Sequence, residues 1–385
     1  MITKLRMGMI GGGPDAFIGA IHRIAARMDG LAELVCGAFS SDPVKSKAMA
    51  AVIGLPEQRV YESFVEMITS ESLLPEDERM DFVSIVTPNH VHFGPAKMAM
   101  EAGFDVVIDK PVTFSLAEAK QLKEIAETTG RILAITHTYT GYPMVKQARE
   151  IIASGQLGTI RKVYAEYLQG WLYQKLEDSE QKQASWRTDP ARSGRAGCMG
   201  DIGTHAFNLA EYVTGLKVTR ICANLNIVVP GRLLDDDGAV ILEFDNGATG
   251  TLIATQVATG EENNIRIKVF GDKGGLEWQQ EDCNSLVVKW PDAPKQVYRT
   301  GTGYAGAMAS HNTRILAGHP EGYLEAFANI YRNAVLAIQA KKEGRTASEA
   351  VLDFPGIDEG IRGMAFVENV VVASLSEEKW RRFEV

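Results

Sequence analysis

Five short apolar runs alternate with helical segments over the first third of the chain, and this alternation constrains the fold more than any other feature. The runs are residues 5–10, 31–39, 82–87, 104–108 and 132–136. Between them, residues 17–28 and 116–128 carry apolar side chains at helical spacing, and a further helix is expected over 95–102, ending at Gly103. Asp42-Pro43 opens another helix through Ala51, since Asp42 can cap it and Pro43 suits the first helical position. Strands that alternate with helices imply a parallel, doubly wound sheet with right-handed crossovers. Such sheets bind ligands beyond the carboxyl ends of their strands. The residues just after each apolar run are therefore the first candidates for function.

The pattern changes after about residue 138. A helix over 145–154 ends at the Gly155 turn, and residues 160–288 then read mainly as longer β segments. Turns are expected at Asp245-Asn246-Gly247 and Gly271-Asp272-Lys273-Gly274-Gly275. The alternation in 240–244, 249–255 and 265–270 suits an antiparallel sheet with one covered face. Helices over 321–341 and 359–375 close the chain. At 385 residues the chain exceeds one ordinary core, so two domains are expected, 1–138 and 139–385.

The first run ends in Gly11-Gly12-Gly13-Pro14-Asp15-Ala16, which fits G-x-G-x-x-A between a strand and a helix. Gly11 permits a tight turn, Gly13 lets the backbone approach a pyrophosphate, and Ala16 permits close helix–strand packing. The helix amino terminus would then face the phosphate charge. A purely structural turn is the alternative, and Asp15 would have to point away from a phosphate. The second run ends in Phe39-Ser40-Ser41-Asp42, with no acid where a ribose-binding one is expected. The two serines with Lys45 and Lys47 lean toward a 2′-phosphate, hence NADP; a solvated lysine face is the plain alternative.

Residues 106–111, Val-Val-Ile-Asp-Lys-Pro, end an apolar strand in a lysine at the ligand-binding edge. Pro111 biases Lys110 away from helical geometry and permits a cis bond. Lys110 either orients a substrate hydroxyl or forms a structural ion pair with Asp109. Farther on stands Gly200-Asp201-Ile202-Gly203-Thr204-His205-Ala206-Phe207-Asn208. On a helix, Asp201, His205 and Asn208 share one face. A histidine there can take a hydroxyl proton as hydride leaves the carbon, because its pKa lies near neutrality. Read alone, these residues favour a helix-capping Asp201 and a core His205 over the catalytic pair. Thr87-Pro88-Asn89 and His92, after the third run, can line a nicotinamide pocket, while Trp186-Arg187 and His319 lie in polar loops. No third ligand at metal-binding spacing accompanies them, so no metal is expected.

The bulk numbers exclude several classes. The net charge is −9, from 40 basic and 49 acidic residues without a long basic run, which argues against nucleic-acid binding. No apolar run approaches the roughly 20 residues that span a bilayer. Cys36, Cys198, Cys222 and Cys283 are scattered and form no CxxC pair. A cytoplasmic protein with reduced thiols is expected.

Together these motifs resemble the family of glucose–fructose oxidoreductase, inositol dehydrogenase and the rhizopine-catabolism protein MocA. The resemblance runs from the glycine turn through Thr87-Pro88-Asn89, Asp109-Lys110-Pro111 and residues 200–205 to Pro320-Glu321-Gly322-Tyr323. It implies an NAD(P)-binding Rossmann domain, followed by an open-faced, largely antiparallel mixed sheet that commonly mediates dimers or tetramers. It implies hydride transfer to or from a sugar, sugar derivative or cyclitol, with His205 as proton acceptor–donor, Lys110 orienting the hydroxyl and Asp201 assisting. The expected nucleotide site comprises Gly11, Gly12, Gly13, Ala16, Phe39, Ser40, Ser41, Thr87, Pro88, Asn89, His92, Asp109 and Lys110. The expected substrate site comprises Trp186, Arg187, Asn208 and His319. Asp109 replaces the family's usual glutamate. Asn208 stands where inositol dehydrogenases place a substrate-binding aspartate, which counts against inositol itself. The loop 192–197 is less glycine-rich than usual. Two alternatives on the same fold are an NAD-dependent glycosidase with an oxidation–elimination cycle and a non-catalytic nucleotide sensor.

Overall fold

The computed structural model describes residues 4–14, 16–179 and 181–385. Asp15 and the first three residues lie outside the described residues. The chain forms two compact units. The first holds the chain up to Thr138 together with Tyr323–Gly360, and the second holds Tyr139–Gly322 with Ile361–Val385.

The first unit is built on five parallel strands, β1 (Leu5–Gly11), β2 (Ala32–Ala38), β3 (Phe82–Val86), β4 (Asp105–Ile108) and β5 (Leu133–Ile135), in the order β2-β1-β3-β4-β5. β3 and β4 are buried at every position, as parallel strands covered on both faces should be. The chain leaves β1 to one side for β2 and to the other for β3, so the switch point lies at the carboxyl ends of β1 and β3. Gly11 pairs with Val86, and Ile85 with Ile108. This register brings the glycine turn, Thr87 and Asp109-Lys110 out at one edge.

The flanking helices follow their local signals. Asp42 Oδ1 accepts the Val44 and Lys45 N–H groups and starts the helix Pro43–Ile53. Ser115 and Glu118 form a reciprocal cap on Leu116–Thr129. The sequence reading passed over the helix Phe64–Leu73, which Ser63 caps and whose inner face contains the buried Glu71, bound by Arg59 and Tyr61. The helix Tyr323–Lys342 also joins this unit, although sequence order placed it with the second domain. It buries Phe327, Ala328, Tyr331, Ala334, Val335 and Ile338 in one cluster with Met7, Met9 and Ala25, and that shared burial ties it to the first sheet.

The second unit carries nine strands: β6 (Ile160–Leu168), β7 (Val218–Asn226), β8 (Asp237–Phe244), β9 (Thr249–Thr255), β10 (Asn264–Gly271), β11 (Gly275–Gln279), β12 (Ser285–Lys289), β13 (Gln296–Arg299) and β14 (Arg381–Arg382). Their order is β13-β12-β11-β10-β6-β9-β8-β7-β14. Only β6 and β9 pair in parallel, so the sheet is mixed and largely antiparallel. The helix Thr204–Thr214 packs on one face, over Val163, Ala165, Leu252, Ile265 and Ile267, and the helix Pro143–Ala153 packs beside it against β11 and β12. On the other face Tyr164, Ile241 and Phe270 are partly exposed. Among the described residues no helix is long and apolar enough to cross a membrane.

Candidate active site

In the first unit the glycine turn is built for close approach. Gly11 and Gly12 have φ of 87° and 73°, a region that favours glycine. A Cβ on Gly13 would lie 2.5 Å from the Phe39 carbonyl oxygen. The tight helix–turn contact is made by Gly19, whose added Cβ would stand 2.3 Å from Gly12 Cα. Ala16, expected in that packing role, instead occupies the helix N-cap and offers no side-chain cap. The helix Phe17–Met28 therefore starts without a side-chain cap from Ala16, and no acid stands among its described first-turn residues. Arg23 braces the turn from below by donating to the Gly12 carbonyl at 2.9 Å.

The second strand's end departs from expectation in one respect. Phe39 is buried, its ring folded under Gly37, so it belongs to the core and only its backbone faces the glycine turn. Ser40 Oγ accepts the Asp42 N–H at 3.1 Å, Ser41 is exposed, and Lys47 donates to the Val60 carbonyl.

After β3, Thr87 Oγ1 is a buried hydroxyl oxygen without a hydrogen-bond partner among the described residues, and Asn89 is buried beyond Pro88. His92 is fully buried and spans two loops, with Nε2 2.8 Å from the Thr87 carbonyl and Nδ1 2.7 Å from that of Pro111. Burial lowers its pKa, opposed by Asp109 and by the two carbonyls; a neutral ring donates to only one of them. Asp109 Oδ1 accepts the Lys110 N–H at 2.8 Å and the Thr136 hydroxyl at 2.9 Å. The Lys110–Pro111 bond is cis. His137, fully buried, has its pKa lowered to about 3, first by burial and then by the Lys110 ammonium. A dinucleotide fits these residues: a helix start that Ala16 leaves uncapped, a turn of glycines and a Thr87 hydroxyl unsatisfied among the described residues converge at one sheet edge.

Asp201 and His205 belong to the second unit. One α-helix through residues 201–208 would put Asp201 and His205 on a single face, but Met199–Gly203 is a π-helical turn that passes into the α-helix Thr204–Thr214. Asp201 sits on that wider turn, so its spacing to His205 is not that of an α-helical face. Nor does Asp201 cap the helix. Its Oδ2 accepts from Gln256 Nε2 at 2.9 Å and Arg187 Nε at 3.2 Å. The turn is instead held by the buried Asp235, whose two oxygens accept the Gly197 and Met199 N–H groups at 2.7 and 2.8 Å. Burial raises the Asp235 pKa, and those two N–H groups oppose the rise.

His205 is 8% exposed and meets the edge of Tyr139, ring centroids 4.9 Å apart, with Tyr167 at 6.1 Å. The Tyr139 and Tyr167 hydroxyls share a short hydrogen bond, and Tyr167 donates to Asn263 Oδ1 at 2.8 Å. Burial raises the pKa of Tyr139. Asn208 is buried on the same helix as His205. Arg187 stacks on Trp186 with its guanidinium carbon 4.3 Å from the ring centroid, so its charge serves Asp201. His319 is exposed on a loop, where its Nδ1 hydrogen-bonds the Leu316 carbonyl. Sequence reasoning missed Tyr139, Tyr167, Gln169, Gln256 and Asn263. They come from separate strands and loops, and no local spacing links them.

These two units match known proteins across their length. The model of the oxidoreductase family with an NAD-binding Rossmann fold matches residues 5–137. The model of the GFO/IDH/MocA C-terminal domain matches residues 145–277. YfiI, an uncharacterized oxidoreductase of Bacillus subtilis (strain 168), is 32% identical over 388 residues, spanning 100% of this chain and 98% of that protein. Levoglucosan dehydrogenase of Pseudarthrobacter phenanthrenivorans is 26% identical over 409 residues, covering 98% of each. The crystal structure of an inositol dehydrogenase homolog complexed with NAD+ from Azotobacter vinelandii aligns at a TM-score of 0.94 and 34% identity, over 99% of this chain and 98% of that one. The chain is thus an oxidoreductase with an NAD-binding Rossmann domain. It belongs to the GFO/IDH/MocA family.

Proposed function

We propose that the chain is an NAD(H)-dependent dehydrogenase or reductase for a secondary alcohol, or the matching ketone, of a sugar, sugar derivative or cyclitol. The observation that carries this reading is the shared edge of the first sheet, where the glycine turn, Thr87 and Asp109-Lys110-Pro111 emerge together. Levoglucosan dehydrogenase and the inositol dehydrogenase homolog, similar over nearly the whole chain, support the substrate class. Asn208 in place of the family's aspartate favours a sugar derivative over inositol.

The nicotinamide supplies a hydride acceptor or donor at C4. The protein binds, orients and moves the proton. The Phe17–Met28 helix start and the Gly11–Gly13 turn hold the pyrophosphate, with Ala16 at the N-cap. Thr87, Pro88, Asn89, His92 and Asp109 shape the nicotinamide end. The Lys110 ammonium orients the reacting hydroxyl. The His205 imidazole takes the hydroxyl proton as the C–H bond yields hydride, leaving a ketone, and returns it in the reverse direction. Asp201, held by Arg187 and Gln256, assists. Trp186, Arg187, Asn208 and His319 are the substrate-binding candidates, with Arg187 against Asp201 and Trp186. The sequence lean toward NADP is weakened because Lys47 is spent on Val60 and Ser40 on Asp42. The NAD+ complex of the similar structure supports NAD(H) as well. The uncovered face of the second sheet, with Tyr164, Ile241 and Phe270, joins copies into a homodimer or homotetramer.

The test is near-ultraviolet absorbance of the reduced nicotinamide, with NAD or NADP, against a panel of sugars, sugar acids, anhydrosugars and cyclitols. Reduction of NAD by one polyol is expected. No reduction across the panel, with NAD bound in a separate titration, would overturn the reading in favour of the glycosidase or the sensor.

A further inference from the structure

Behind Asp109 runs a buried polar chain that the reaction above does not use. His22, on the buried face of the Phe17–Met28 helix with Gly19, Ala25 and Ala26, is fully buried. Its Nδ1 lies 2.6 Å from the Tyr331 hydroxyl and 3.4 Å from Ser84 Oγ, and those two hydroxyls are 2.6 Å apart. Tyr331 comes from the Tyr323–Lys342 helix, and Ser84 from the middle of β3. On the other side of the ring, Nε2 faces Asp109 Oδ2 at 3.9 Å. Asp109 Oδ1 in turn accepts the Lys110 N–H and the Thr136 hydroxyl.

Three protons must be placed along this chain, and one arrangement uses each donor once. The Ser84 hydroxyl donates to the Tyr331 oxygen, the Tyr331 hydroxyl donates to His22 Nδ1, and the His22 Nε2–H then points toward Asp109. The reverse arrangement puts a proton on Nδ1. It leaves the Ser84 proton without an acceptor among the described residues, and it turns an Nε2 lone pair toward a carboxylate. The imidazolium is disfavoured because burial lowers the His22 pKa to about 4, with Asp109 opposing and His92 and Arg23 adding to the shift.

We propose that His22 is a positioning residue: as the Nε2–H tautomer, fixed by Tyr331 and Ser84, it sets the orientation of the Asp109 carboxylate and, through it, of the Lys110 backbone. The kinetic consequence rests on the dehydrogenase reading; the tautomer does not. The ion–dipole contact at 3.9 Å is long, so its role is to choose between carboxylate orientations. Misplacing a reacting group by about 1 Å costs roughly a hundredfold in rate.

The test has two arms. The first is nitrogen NMR of histidine-labelled protein at neutral pH, with His22 assigned by the His22→Gln variant. The expected result is a protonated Nε2 and a bare Nδ1. An Nδ1–H tautomer or an imidazolium overturns the inference. The second compares His22→Leu with His22→Gln, which returns an N–H donor near the Nε2 position. His22→Leu should lower kcat roughly ten- to a hundredfold, with NADH affinity nearly unchanged, and His22→Gln should recover most of that loss. Equal losses in both variants, or a loss confined to KM, overturn it. Should His22→Leu fail to fold, the double variant Ser84→Ala, Tyr331→Phe serves instead, because it removes both hydroxyls that can donate to Nδ1. It should yield an Nδ1–H population and a smaller fall in kcat; an unchanged tautomer overturns the inference. The NMR and NADH titrations need no turnover, so failure of the dehydrogenase reading is told apart from failure of this one.

Discussion

His22 and His137 are fully buried, with pKa values lowered to about 4 and about 3, and His92 is lowered in the same sense. Above the ordinary value of 6.5, both the folded and the unfolded chain hold these rings neutral, and they make no pH-dependent contribution. Below it the unfolded chain takes up protons that the folded chain refuses, so stability falls as the pH drops from 6.5 toward 4. Each such ring contributes a slope of about 1.4 kcal/mol per pH unit. Denaturant midpoints between pH 6.5 and 5 should therefore fall steeply, and the double variant His22→Gln, His137→Gln should flatten the slope. A flat wild-type profile would contradict buried neutral rings. Much at this scale was legible in sequence: Gly11 and Gly12 at positive φ, Asp42 as a cap, Lys110 at a sheet edge. The partners of Asp201 were not. Arg187, Gln256 and the supporting Asp235 lie at separations that only the folded chain closes.

At the scale of elements, two contacts fix how the functional turns are presented. Gly19 lets the Phe17–Met28 helix approach the glycine turn, and an added Cβ would press on Gly12 Cα at 2.3 Å. Gly19→Ala should cost about 1–3 kcal/mol through overpacking and weaken NADH binding together with Tm. Retained Tm and affinity would show that the turn adjusts freely. The π-helical turn Met199–Gly203 depends on Asp235, buried and bonded to two N–H groups. Asp235→Asn turns one amide N–H toward a backbone donor and should cost about 1–3 kcal/mol, read as a lower denaturant midpoint with kcat reduced. The sequence predicted helix starts well because caps are local. It does not mark the π turn at residues 199–203, because nothing local separates an α turn from a π turn that is held by a carboxylate 36 residues away.

At the scale of the molecule, the chain leaves the first unit after Thr138 and returns to it at Tyr323. Fold class was readable from strand–helix alternation; the return was not, because the Tyr323–Lys342 helix buries Asn329, Asn333 and Gln339 along with its apolar residues, and nothing local assigns it to one core. The second sheet keeps one face uncovered by helices. Light scattering should give a dimer or tetramer of the 42.0 kDa chain, and Ile241→Glu should shift it toward monomer. A wild-type monomer would contradict that assignment. The central claim, a dehydrogenase in which Lys110 and His205 handle the hydroxyl while the glycine turn holds the nucleotide, is tested most directly by pairing turnover with NADH titration in wild type, Lys110→Ala and His205→Asn. The account predicts a fall in kcat of about 10²–10⁴-fold for His205→Asn and a large fall for Lys110→Ala, with NADH affinity kept in both. Wild-type turnover in either variant would contradict it.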